Sequence, residues 1–241
     1  MNFKMKRCKK LFLSITLILI CDNSYSQSTD IKIIGEMRNV MWKGQLAGNI
    51  YLDSISNKKH LYGFGPLENM VGEILIIDGR CYNATASNNK ELKVEESYQL
   101  KAPFFGYTNI DQWQEVPLPD SIISLADLES FLNQQTQNFK RPFMFKLEGQ
   151  VESAEIHVVN VLPGTIVKSP ADVQKSHVEF SLNYEQVNII GFFSTEHQAI
   201  FTHHDTYLHL HLINAEKSKM GHLDSVKLLP GKTKLFLPEA K

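Results

Sequence analysis

The sequence predicts a β-rich α+β protein, and three observations carry that reading. Short apolar runs rich in Ile, Val, Phe and Tyr, each bounded by turn residues, recur along the chain. Only one segment sustains a helical apolar period. The chain has 241 residues with 43% hydrophobic and 21% charged content, an ordinary globular composition with enough apolar material for one large core or two small ones.

The expected strands are Ile31–Ile34, Gly72–Ile77, Phe143–Leu147, Ile156–Val161, Val178–Leu182, Val187–Phe193, Tyr207–Ile213 and Val226–Leu229. Asp78-Gly79, directly after Ile74–Ile77, is a hairpin turn signal, because both residues tolerate the positive φ that such turns need. The helix candidate runs from Ser124 to Phe139, with Leu125, Leu128, Phe131 and Leu132 on one stripe, Ser124 as N-cap and Asp127 three residues on. A second, weaker helix covers Ile34–Trp42. A boundary is expected at Arg141-Pro142, giving an N-terminal mixed-sheet subdomain over 27–141, including the helix, and a C-terminal β subdomain over 142–241. There is no internal repeat, heptad pattern or low-complexity stretch. Asn83-Ala84-Thr85 fits a glycosylation acceptor, but its expected place in a strand argues against use.

The N-terminus has a different character. Lys4, Lys6, Arg7, Lys9 and Lys10 precede an apolar run from Leu11 to Cys21, and Ser24-Tyr25-Ser26 puts small residues where a signal peptidase reads. This is the layout of an export signal over residues 1–26, and the apolar run is short for a bilayer span. Cleavage as a lipoprotein at Cys21 is the alternative, with bulky Ile20 against it. Removal of 1–26 takes five of 25 basic and one of 26 acidic residues, leaving 20 and 25 and a formal net charge of −5. Cys81 is then the sole cysteine, so no internal disulfide can form. With no basic face, nucleic acid is not an expected partner. Nor is a membrane, once the leader is gone.

The chemistry concentrates near the C-terminus. In the expected strand Tyr207–Ile213, His209 and His211 share one face because side chains alternate with a period of two, and the intervening leucines point to a core. Asn214 to Gly221 is polar and turn-forming, and can return His222 to the same place. Three imidazoles converging from a hairpin make an open zinc site with a coordination position left for water or substrate. A His-x-His pair is also common as the polar face of a strand, so spacing alone leaves both readings open. His203-His204 read as surface residues.

These residues resemble the α-acetolactate decarboxylase family. Leu208-His209-Leu210-His211-Leu212 and Met220-Gly221-His222 are similar to its histidine strand and its Gly-His turn, and Gly191-Phe192-Phe193 to the run upstream. Gly63-Phe64-Gly65-Pro66-Leu67, Met70-Val71-Gly72-Glu73, Asp78-Gly79, Lys101-Ala102-Pro103-Phe104 and Leu147-Glu148-Gly149 match further blocks in the same order, from roughly Gly35 to the C-terminus. The resemblance implies a two-domain, sheet-rich subunit that forms a homodimer. It also implies a zinc ion on His209, His211 and His222, and conversion of 2-acetolactate, a 2-hydroxy-3-oxo acid, to acetoin and carbon dioxide. It assigns Glu73 to the glutamate beside the metal.

Three positions depart from the family pattern. His157 falls where an arginine binds the substrate carboxylate; histidine offers charge and a proton over part of the pH range, without bidentate contact. Pro66 replaces a threonine. The chain ends at Glu239-Ala240-Lys241 where the family continues with a tail glutamate. The sequence therefore leaves two functions open: an exported zinc-dependent decarboxylase using Glu73 and His157, or a zinc-containing member that binds a small molecule without turning it over. A purely structural metal is a third reading.

Overall fold

The computed structural model describes residues 30–239 apart from 199, 201 and 203–205. The expected export segment and the His203-His204 pair lie outside the described residues. Among the described residues no helix is long and apolar enough to cross a membrane.

The first half contains β1 (Lys32–Ile34), α1 (Met37–Lys43), β2 (Ile50–Tyr51), β3 (Leu61–Pro66), β4 (Glu73–Ile77), β5 (Arg80–Ala86), β6 (Leu92–Glu96), β7 (Lys101–Ala102) and β8 (Phe105–Asn109). Six of these strands form an antiparallel sheet in the order β1-β8-β3-β4-β5-β6, and β2 pairs with β7 in a small ribbon. The β4–β5 hairpin turns at Asp78 (φ 47°) and Gly79 (φ 76°), the two left-handed positions that the Asp-Gly pair is suited to fill. The weaker helix forms as α1 and stops at Gly44, which takes the left-handed C-cap conformation.

The second half contains β9 (Trp113–Val116), α2 (Leu125–Gln135), β10 (Phe143–Val159), α3 (Pro170–Gln174), β11 (His177–Asn183), β12 (Gln186–Phe193), β13 (Leu208–Asn214) and β14 (Met220–Pro238). Its sheet runs β11-β10-β12-β13-β14-β9, and β14 also pairs back onto β10. The pairings β10–β12–β13–β14–β10 thus close a ring, which leaves β11 and β9 as the edges. The expected strands Phe143–Leu147 and Ile156–Val161 are the two ends of the single strand β10. Its polar middle stays paired because β-bulges absorb the changes of register against β14.

Helix α2 begins at the Ser124–Asp127 capping box. It ends at Gln135, four residues before the expected Phe139, because Thr136 leaves helical backbone (φ −118°, ψ 32°) and Phe139 turns to pack edge-on against Phe143. Both β9 and α2 precede Arg141-Pro142 in sequence yet belong with the second sheet: β9 pairs with β14, and Leu128 and Leu132 pack among Val151, Ile189 and Leu235.

One core joins the two sheets. Phe64, Leu75 and Tyr82 of the first pack against Met144, Ile190 and Phe192 of the second, and each fully buried aromatic of this kind contributes roughly 1.5–3 kcal/mol. A smaller cluster under α1 and α3 holds Met37, Val40, Met70, Phe104 and Val173. Asn83, in β5, is buried, which closes the glycosylation triplet to an enzyme from outside.

Candidate metal and active site

The register of the second sheet builds the site. His222 on β14 pairs directly with His211 on β13 and, on its other side, with His157 on β10. His157 in turn faces Glu179 on β11. His211, His222, His157 and Glu179 therefore form one row across four strands. His209 precedes His211 by two residues and shares its face. Leu208, Leu210 and Leu212 point to the opposite core, as the alternation requires.

The three rings expected to converge do so. Ring centres lie 5.5 Å apart for His209 and His211, 5.3 Å for His209 and His222, and 5.7 Å for His211 and His222. Imidazoles that meet at one tetrahedral ion, through metal–nitrogen bonds of about 2.0–2.1 Å, have ring centres roughly 5 Å apart. The ring separations are thus close to those of imidazoles around one cation. All three histidines are buried, and Phe64 from the first sheet fixes two of them, stacking on His211 at 4.6 Å and meeting His209 edge-on at 4.8 Å.

Glu73 enters from the other sheet, at the first position of β4, and is 3% exposed. Its Oε2 lies 3.6 Å from His211 Nε2, and its Oε1 accepts a 3.4 Å hydrogen bond from the Val159 backbone N–H. Burial pushes its carboxyl up to about 8; the Val159 N–H opposes that shift and the Asp224 charge adds to it. A carboxyl held so far from water needs a cation or a proton, which places Glu73 with the histidines in chemistry as well as in space.

Sequence reading missed Asp224. It is the extra residue at a bulge, where Ile156 pairs with Leu223 and Glu155 with Ser225. The bulge aims its carboxylate at both neighbours: His157 Nδ1 donates to its two oxygens at 2.7 and 2.9 Å, and His222 Nδ1 to one of them at 3.2 Å. Burial would raise the Asp224 carboxyl, but these hydrogen bonds and the charge of His157 and His222 hold it well below the usual carboxylate range. The available signal was the spacing His222-Leu223-Asp224, which puts both polar residues on one face of a strand. Among the described residues the group whose ligand atoms all lie within 4.8 Å of one another, and which could hold a metal ion, is His157, His222 and Asp224; it shares His222 with the expected set. His177 was also missed; its ring stacks on His157 at 3.6 Å and 7°.

A cavity of about 570 Å³ opens onto these residues and is lined by Glu73, His157, His177, His209, His222 and Asp224 on the chemical side. Pro66 lines it as well. Glu239 does not: it follows β14, is exposed, and donates its backbone N–H to the Gln112 carbonyl.

Two packed sheets with a buried histidine-carboxylate cluster between them, open to a small-molecule cavity, define a scaffold that could hold a metal ion beside a small ligand. The sequence profile of the α-acetolactate decarboxylase family matches residues 36–236, and the chain belongs to that family. Solved structures agree in fold. The acetolactate decarboxylase of Bacillus subtilis subspecies spizizenii superposes with a TM-score of 0.71 at 16% identity, over 88% of this chain and 86% of that one. The α-acetolactate decarboxylase of Bacillus subtilis strain 168 gives 0.68 at 17% identity, over 88% and 85%. A Staphylococcus aureus protein of unknown function, described as similar to α-acetolactate decarboxylase, gives 0.69 at 17%, over 86% and 84%. A comparison with curated proteins found no match.

Proposed function

We propose that this chain is a zinc-dependent decarboxylase of 2-acetolactate or a close 2-hydroxy-3-oxo acid, releasing carbon dioxide and an α-hydroxyketone such as acetoin. The observation that carries the reading is the convergence of His209, His211 and His222 beside the buried carboxyl of Glu73. These three histidines would hold the zinc. Asp224 accepts from Nδ1 of His222, the arrangement in which a carboxylate orients a ligand histidine and leaves its Nε2 to the metal.

Zinc supplies a Lewis acid at the substrate oxygens, favouring the negative charge that develops next to the breaking bond. In the reaction the C1–C2 bond breaks, carbon dioxide leaves, and the electron pair stays on C2, delocalised into the neighbouring carbonyl. A proton must then reach C2. Glu73, able to hold a proton near neutral pH, and His157, held in place by Asp224, are the chain's two candidate proton carriers.

The test is to incubate purified protein and zinc with racemic acetolactate and to measure acetoin against a His209→Ala control. Absence of acetoin above that control would reject the reading. A second reading, zinc-dependent binding without turnover, draws support from the absence of lysine and arginine among the described residues that line the cavity; it predicts zinc-dependent thermal stabilisation by acetolactate with no acetoin. Export and homodimer formation belong to the proposal on the N-terminal sequence and the family resemblance alone. Sequencing the N-terminus of exported protein and measuring its mass in solution test them.

A further inference from the structure

The cavity has two unlike walls. The strand wall is polar and acidic, with Glu155, Glu179 and Asp224 beside His157 and His177. The opposite wall is apolar and is built by two short helices absent from the core of either sheet. Met37, Met41 and Trp42 of α1 face Val173 of α3, and Met70 and Phe104 continue the same surface inward. Phe104 brings it to the histidines, its ring 6.5 Å from His209. The apolar wall is therefore continuous with the proposed reaction centre.

The size is larger than the smallest substrates of this chemistry require. At about 30 Å³ per water-sized group, 570 Å³ has room for on the order of twenty such groups, more than twice what acetolactate would occupy. Methionine side chains reshape easily around apolar ligands, and half-exposed Trp42 stands at the rim. No lysine or arginine lines the cavity among the described residues, whereas Glu73, Glu155, Glu179 and Asp224 do. A second anionic group on the ligand would meet carboxylates there.

Resting on the decarboxylase reading above, we propose that this site takes 2-hydroxy-3-oxo acids with an uncharged apolar substituent longer than methyl, which lies against the α1–α3 wall while the acid end sits at the histidines.

The experiment compares kcat/KM of the zinc-loaded protein for 2-acetolactate and for homologues whose C2 methyl is replaced by butyl, hexyl or a chain of equal length ending in carboxylate. The expected result is a rise of up to roughly fourfold per added methylene over the length of the wall, with the carboxylate-ended homologue at least tenfold below its alkyl counterpart. Met41→Glu and Trp42→Asp, both on partly exposed positions of α1, should flatten the chain-length dependence. Turnover of acetolactate with equal or lower kcat/KM for the longer acids would overturn this inference and leave the decarboxylase reading intact. Lack of turnover for every acid would reject the decarboxylase reading. Calorimetric titration of the zinc-loaded protein with the unreactive 2,3-dihydroxy analogues would then decide this one: affinity that rises with chain length supports it, and affinity independent of chain length overturns it.

Discussion

Asp224 accepts hydrogen bonds from His157 Nδ1 on both of its oxygens, at 2.7 and 2.9 Å, while one of them also faces His222 Nδ1 at 3.2 Å. An ionised carboxylate only accepts, so both histidines must carry hydrogen on Nδ1 and present Nε2 away from it. One bulged residue thereby sets the tautomer of two imidazoles. In Asp224→Asn the amide nitrogen cannot accept, so of the three contacts the second one from His157 is lost, and the carboxylate charge that favours both imidazoles goes with it. Zinc affinity, read by competition with a chromophoric chelator, should fall about 10–100-fold, with an unchanged far-UV circular dichroism spectrum. Unaltered affinity would remove Asp224 from the site.

On the family resemblance alone His157 takes the place of an arginine, and its ring is buried beside His177 and the Asp224 carboxylate. Guanidinium would pair with Asp224 bidentately and keep its charge at all working pH values. His157→Arg should accordingly retain or raise kcat/KM for acetolactate, whereas His157→Ala should lower it by about 10²-fold, the low end of a proton-transfer contribution. Equal rates for the wild type and both variants would exclude His157 from the mechanism.

The parts of the fold legible in the sequence are those where local pattern and tertiary environment agree. Alternation over Leu208–Leu212 announced the faces of β13, and Asp78-Gly79 announced its hairpin. Strand β3, Leu61-Tyr62-Gly63-Phe64-Gly65-Pro66, did not look like a strand, because glycine and proline weaken the pattern. Its glycines answer to a neighbour distant in sequence: a Cβ on Gly65 would come 2.4 Å from the Phe104 carbonyl oxygen. Strand β14 was legible only over Val226–Leu229, its continuation masked by Pro230-Gly231, and β10 read as two strands because of its polar middle. At the site, the spacing carried the shared face of His209 and His211 and the return of His222 beside them. Asp224 and His177 were not legible, because what brings them to His157 is a bulge on one neighbouring strand and the register of another.

Cys81 lies in β5 facing the core formed by Ile74, Ile76 and Phe105, with no exposed surface. Burial, with a smaller contribution from Glu96, pushes its thiol up to about 12. The thiolate is the reactive species, so native protein prepared without residues 1–26, in which Cys81 is the one cysteine, should not label with a thiol reagent at pH 8, and should label at one equivalent per chain after unfolding. Rapid labelling of the native protein would show that β5 opens easily.

Glu73 makes the metal-free protein sensitive to pH in a direction opposite to that of an ordinary paired carboxylate. Its carboxyl ionises near 4.5 in the unfolded chain and is pushed up to about 8 in the fold. Between these values the native state binds the proton more strongly than the unfolded state does. Folding stability from this group is therefore present in full below about pH 4.5 and is lost as pH rises through about 8. At about 1.4 kcal/mol per pH unit of separation, the loss is on the order of a few kcal/mol. Metal-free protein should show a falling Tm from pH 5 to pH 8, and Glu73→Gln, which keeps the shape without the titration, should flatten that slope. Zinc should flatten it too, because a cation beside the carboxylate stabilises its charged form and competes with the proton. A metal-free Tm that stays level or climbs over this range would mean that the Glu73 carboxyl is not held away from water as the fold places it.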